Sequence, residues 1–238
     1  MSFELTDIDI LFDFRTDSAG RDPDSASPTL KAYHQALWSK PLPNGQNLCL
    51  TTEDCSYLRW GDMYFGSDSI TASFRYERNK DLLTGIARAV PSFSDYIEDY
   101  LHKAYTIGGM IIFPKHSGSI NQSRGFNKRI CDRWDLTLEC IRRYYIGEPS
   151  PLDAVLKKDK AFFDLFVDFK GYVDFFFLQD CADDNYNVKI WFDTPLFEIN
   201  PMPRTVEEYC SWIDSQLDFV SSRGRSIKDF LTSNESAF

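Results

Sequence analysis

The chain has 238 residues, a formal net charge of −10 and a pI near 4.8, a balance that excludes the coating of bulk duplex DNA or of an anionic membrane surface. A hydrophobic fraction of 43% and an aromatic fraction of 16% exclude a disordered chain and suit one folded domain. No window reaches the roughly 18 consecutive apolar residues of a membrane span, and the acidic N-terminus "MSFELTDIDI" lacks the order of a secretory signal, so a cytoplasmic protein with no membrane partner is expected. The cysteines at 49, 55, 131, 140, 181 and 210 form no C-x-x-C pair, which predicts buried thiols and no metal site.

In chain order, "DILFDFRTDS" (9–18) alternates apolar and polar residues and predicts a strand, followed by an acidic loop. Ser27 before Pro28 reads as a helix cap with proline at the first helical position, so "PTLKAYHQALWSK" should be a helix. "SYLRWGDMYFG" and "SITASFRYE", split by "SDS", predict a hairpin paired with the first strand. A helical pattern from Asn79 to Tyr105 is interrupted at Pro91, with Ser92 or Ser94 as the next cap, and "GGMIIFP" reads as a central apolar strand.

Farther on, Phe162, Phe166, Phe169, Val173 and Phe176 recur with the period of a helix face, predicting a core-forming helix. "YNVKIWF" predicts a strand, and "TVEEYCSWIDSQLDFVSSR" a helix that Gly224 ends or kinks. These elements amount to a helix-majority α+β domain over 1–232, packed on a small, mainly antiparallel sheet, with a disordered tail at 233–238.

"INQSRGFNKRICDRWDLTLECIRRYY" (Ile120 to Tyr145) stands out in this acidic chain. Arg124, Lys128, Arg129, Arg133, Arg142 and Arg143 face only Asp132, Asp135 and Glu139, a net +3 that leaves −13 elsewhere. Placing Phe126 to Tyr145 on one helix collects Ile130, Trp134, Leu138, Ile141 and Tyr145 on a buried arc, and Lys128, Asp132, Asp135, Glu139, Arg142 and Arg143 on a solvated one. Arg129 and Arg133 then project onto the apolar flank, where a guanidinium needs an anion or several acceptors. Two readings meet that need. One is an internal salt bridge, to Asp13, Asp164 or Asp168, or a stem lying across apolar surface. The other is an anion pocket in which Arg124, Arg129 and Arg133 join the amides of Asn121 and Gln122, Gly125 allows close backbone approach, and the helix N-terminus adds free N–H groups.

"YHQALWSKPLPNG", "INQSRG", "DRWDLTLECIRRYY", "SPL" and "FFDLFVDFKGYVDFFFLQD", in that order, resemble a family of uncharacterised bacterial proteins recorded as a domain of unknown function. The resemblance spans most of the chain and implies a bacterial or phage-borne cytosolic protein, with no activity, fold or cofactor attached.

Lys40, at a helix end before two prolines, either compensates the helix C-terminus or reaches a phosphate in the same cleft. His34 as a general base, and Asp164, Asp168 and Asp174 as cation ligands, compete with purely structural roles. No G-x-S-x-G elbow or H-E-x-x-H motif is present, so Asp132 and Asp135, beside the arginines, are the candidate acid or base. The expectation is a protein that binds a nucleotide, another phosphorylated small molecule or a short single strand at a basic cleft, with duplex DNA disfavoured. The alternative is a non-catalytic protein–protein interaction module with structural arginines.

Overall fold

Carboxylates rather than strand pairing organise the N-terminal segment of the computed structural model, which describes residues 5–53, 57–71 and 80–235. Asp9 Oδ1 accepts the Leu11 N–H at 2.9 Å and Asp13 Oδ1 the Arg15 N–H at 3.0 Å. Such local bonds compete with a β-ladder for the backbone. The strand predicted over 9–18 is therefore replaced by turns and a 3-10 helix at Phe14–Asp17.

A short helix α1 (Pro23–Ala26) leads into α2 (Pro28–Trp38), whose start is as predicted: the Ser27 hydroxyl accepts the Leu30 N–H at 3.0 Å. That cap satisfies a donor with no partner inside the helix. α2 buries Leu30, Tyr33, His34, Leu37 and Trp38.

The sheet is antiparallel, in the order β1 (Thr51–Glu53), β2 (Tyr57–Trp60), β3 (Met63–Ser69), β4 (Met110–Pro114). Trp60 opposes Met63 across a two-residue turn at Gly61 and Asp62, where Gly61 adopts φ +58°. A tight hairpin turn requires such positive φ, which glycine adopts without strain. β3 therefore begins earlier than predicted and includes "SDS", placing Asp68 within a strand; residues 72–79 of the expected second strand lie outside the described residues. β4 is buried along its whole length, yet it ends the strand order among the described residues instead of occupying its centre. An apolar run reports burial on both faces, not a neighbour on both sides.

Pro91 separates α3 (Lys80–Ala89) from α4 (Phe93–Ala104), with Ser92 at the cap position in a left-handed conformation and no side-chain cap bond. The continuous helix predicted from Phe126 does not form. Instead α5 (Ile120–Phe126) and α6 (Trp134–Ile146) are joined by a turn in which Asn127 Oδ1 accepts the Arg129 N–H at 2.9 Å. Cys131 and Asp132 there have φ of +51° and +65°.

The Phe-rich stretch is likewise broken, into α7 (Asp153–Lys158), α8 (Lys160–Phe163), a 3-10 turn at Asp164–Phe166 and α9 (Phe169–Phe175), with Val167 at φ +69°. Phe162, Phe166, Phe169, Val173 and Phe176 are all buried in the main core, so their spacing marked the core but not a single helix. "YNVKIWF" forms only an isolated bridge, Ala182 to Val188.

α10 (Val206–Glu235) runs straight through Gly224 and takes in the start of the expected tail; residues 236–238 of that tail lie outside the described residues. It packs on the 3-10 turn Ile107–Gly109 so closely that a Cβ on Gly108 would stand 2.3 Å from the Val220 carbonyl oxygen. A second apolar cluster joins α3, α4 and the first half of α10 through Ile86, Tyr100, Tyr209 and Trp212. The fold is thus helix-majority α+β on a small antiparallel sheet, and no helix among the described residues is long and apolar enough to cross a membrane.

Candidate ligand-binding cleft

α1, the end of β3, α4 and α5 converge on a cleft of about 690 Å³, within the usual size of a small-molecule site. Among the described residues its walls hold four carboxylates, Asp22, Asp24, Asp68 and Asp132, against two arginines, Arg15 and Arg21. Tyr100 and Tyr105 from the α4 side and Phe126 from α5 add aromatic surface. Arg15 is already engaged, 2.5 Å from Asp13 and 2.8 Å from Glu98. The cleft is therefore acidic on its wall, where the sequence had suggested a basic one.

Of the residues singled out in the sequence, Asn121, Gln122, Gly125 and Asp132 line this cleft, although "NQSRG" is part of α5 and not a loop. Arg124 lies behind the wall with no exposed surface, correcting its expected place as an anion-binding arginine of the pocket. Its guanidinium is fully committed: Nη1 donates to Asp68 Oδ2 and to the Ser69 carbonyl, each at 2.8 Å, Nη2 to the Asp132 carbonyl at 2.9 Å, and Nε to Thr137 Oγ1 at 3.3 Å. It stitches β3, the α5–α6 turn and α6 together.

The structure takes the other basic candidates elsewhere. Arg133 is buried against Asp135, donating through both Nε and Nη2, and gives Nη1 to the Pro201 carbonyl at 2.7 Å. Asp135 is 1% exposed and also accepts the Trp191 N–H at 3.0 Å, so it is neither solvated nor open to a ligand. Glu139, expected on the solvated arc, is buried between Arg142 and Arg143. Arg129 is exposed, with Lys128, on a separate shallow groove that includes Ile199. The place of Arg129 follows from the turn that breaks the predicted helix, which takes the residues before Trp134 out of the projection, whereas Glu139 lies within α6 and is drawn in by Arg142 and Arg143.

Lys40 sits away from the cleft in a cage of rings, its Nζ 3.9 Å from the Phe177 centroid, 4.6 Å from Phe175, 4.8 Å from Phe230 and 5.2 Å from Trp38. Nζ donates to the Phe175 carbonyl at 2.7 Å. Burial, and then the nearby Arg223 charge, push its pKa down to about 7. His34 is a core residue: its Nδ1 accepts the Trp38 indole N–H at 2.8 Å, and burial holds the ring neutral with a pKa of about 3. Asp164 and Asp174 pair with Lys160 and Lys170, and Asp168 caps α9. Among the described residues no group of His, Cys, Asp and Glu has the makings of a metal site. Five described cysteines are free, and only Cys140 and Cys181 are buried, fewer than expected.

Asp24 and Asp68 give the cleft its chemical character, and sequence reasoning passed over both. Asp24 Oδ2 accepts the Ser69 N–H at 3.3 Å, while Oδ1 is buried with no hydrogen-bond partner. Burial, reinforced by the charges of Asp68 and Asp22, raises the Asp24 pKa well above its ordinary value. Asp68 is pushed up to about 6 by burial, against the opposing pull of Arg124. Asn121 donates Nδ2 to the Ser67 carbonyl at 3.1 Å, leaving its Oδ1 buried and also unpaired. Buried polar atoms are nearly always hydrogen-bonded, so two orphans at one cleft are notable. The available signal was an aspartate between two serines inside an otherwise aromatic strand, together with the carboxylates of "RDPD".

No curated protein and no solved structure matches the chain. Residues 8–227 match the model of a family of unknown function, DUF6994, and the chain belongs to that family.

Proposed function

We propose that the protein binds a small phosphorylated, hydroxyl-rich ligand, of which a nucleotide is the representative, in the cleft between α1, α4 and α5. The observation that carries this reading is the pair of orphaned polar atoms, Asp24 Oδ1 and Asn121 Oδ1, at the cleft wall. Leaving such groups unpaired costs about 1–3 kcal/mol each, an expense that a ligand bearing hydroxyl or amino groups removes. A phosphate placed against the wall would meet the carboxylates, so the anionic end belongs at the rim, where Arg21 is exposed. Tyr105, partly exposed, offers a face for a sugar or base. Free thiols suit a cytoplasmic setting.

The test is a thermal-shift panel of ribonucleoside monophosphates, sugar phosphates and inorganic phosphate, since a ligand of the folded state must raise its melting temperature. A shift from the sugar-bearing compounds that inorganic phosphate does not reproduce is expected. No shift at all, or a full shift from phosphate alone, contradicts the reading.

A second reading, a non-catalytic interaction module, draws on the exposure of Ile199 (67%) in the groove that also holds Lys128 and Arg129. Exposed apolar residues next to unpaired cations suit an acidic protein partner.

A further inference from the structure

We infer that Asp24 and Asp68 form an acid–base pair that hydrolyses a glycosidic bond in the ligand held by the cleft. This rests on the reading of the cleft as a ligand site. The two carboxyls share one wall: Asp24 Oδ2 accepts the backbone N–H of Ser69, the residue next to Asp68. Their surroundings differ in the way such a division of labour requires. Asp68 Oδ2 is held at 2.8 Å by Nη1 of Arg124, a guanidinium with no exposed surface, which favours the ionised form of Asp68 against its burial. Among the described residues Asp24 has no direct cationic partner, and it faces the negative charges of Asp22 and Asp68, with the Arg124 charge the weakest influence. A carboxyl so placed retains its proton, and among the described residues no group bonds its Oδ1.

Environments that drive two carboxyls apart in this way assign the acid and the base. Among the described residues the cleft lining contains no His, Lys or Cys, so carboxyls are the described groups there that exchange protons near neutral pH. Cleavage of an acetal or N-glycoside needs no more than a protonated leaving group and an activated water. Asp24 gives its proton to the leaving oxygen or nitrogen as the bond to the anomeric carbon breaks and its electron pair stays with the leaving group. A water oxygen forms the new bond to that carbon, and Asp68 takes the water proton. The products are the free sugar and the protonated leaving group, and a proton returned from Asp68 through solvent restores Asp24. Asp132, whose Oδ1 lies 3.5 Å from Arg124 Nε, completes the charges around the pair.

The experiment incubates the full chain with ribonucleoside monophosphates and with nitrophenyl glycosides and measures released base or nitrophenolate, with a thermal shift recorded for each compound. Release is expected from a compound that shifts the melting temperature, with a pH profile rising through about 6 as Asp68 ionises. Asp24→Asn should lower the rate by about 100-fold or more at saturating compound, and Asp68→Asn should abolish the rise with pH. A compound that binds but is not cleaved overturns the pair and leaves the binding reading standing, whereas a panel in which nothing binds removes both. Independently of folding in the variants, an NMR titration of the wild-type aspartate carboxyls should find Asp24 protonated at neutral pH. An ionised Asp24 overturns the proposal.

Discussion

Arg124 shows how far one buried cation can be from the role its neighbours in sequence suggest. Its contacts to Asp68, Ser69, Asp132 and Thr137 make it an internal tie. Breaking a buried pair costs about 3–5 kcal/mol, while truncating an exposed charge usually stays within about 0.5 kcal/mol. Arg124→Ala and Arg133→Ala should therefore lower the denaturation midpoint strongly, and Arg129→Ala should leave it in place, in chemical denaturation of the variants. Asp24 supplies a second prediction at this scale. Its folded pKa lies above the ordinary aspartate value of 3.8, so the folded state keeps a proton that the unfolded state releases. The associated stability is fully present below 3.8 and is lost as pH rises toward the folded pKa. Asp24→Asn, which removes that linkage, should raise stability in neutral buffer and change little in acid, as seen in melting temperatures across pH. A functional group held at a cost to stability behaves in this manner. The sequence made the need of Arg133 for an anion legible, and its partner is Asp135, two positions away. It did not make the Asp24–Asp68 pair legible, because those residues are far apart in the chain and meet only through the Ser69 N–H.

Elements were legible where a local signal stood unopposed. The Ser27–Pro28 start of α2, the helix break at Pro91 and the burial of β4 all follow from their own few residues. Elements were misread where side chains bond the backbone or where φ turns positive inside an apolar pattern. Asp9 and Asp13 cancel a strand, Asn127 with Cys131 and Asp132 splits a helix, and Val167 interrupts the Phe-rich run while its phenylalanines keep their place in the core. The glycines of α10 and of the turn beneath it offer a paired test. A Cβ on Gly224 meets nothing within 4 Å and the residue is helical, so Gly224→Ala should stabilise by about 1 kcal/mol, the usual propensity gain. Gly108→Ala would drive a Cβ to 2.3 Å from the Val220 oxygen and should destabilise by about 1–3 kcal/mol, as overpacking does. Equal midpoints for the two variants would deny the close seating of α10 on that turn.

At the scale of the molecule, the basic segment that stands out in the sequence leaves little positive surface. Arg124 and Arg133 are buried, and Arg142 and Arg143 are paired with Glu139, which leaves Lys128 and Arg129 as the exposed pair from that stretch. With a net charge of −10, the protein should bind an anion exchanger and pass through immobilised heparin at low ionic strength, and retention on heparin would count against this distribution. The proposed ligand is accordingly assigned to the acidic cleft rather than to the basic segment. Calorimetric titration of ribonucleoside monophosphates into the wild-type protein, Asn121→Ala and Arg129→Ala tests that assignment most directly. The account predicts that Asn121→Ala weakens binding by about tenfold, the worth of one buried hydrogen bond, with Arg129→Ala indistinguishable from wild type. Loss of binding in Arg129→Ala with Asn121→Ala unaffected would contradict it.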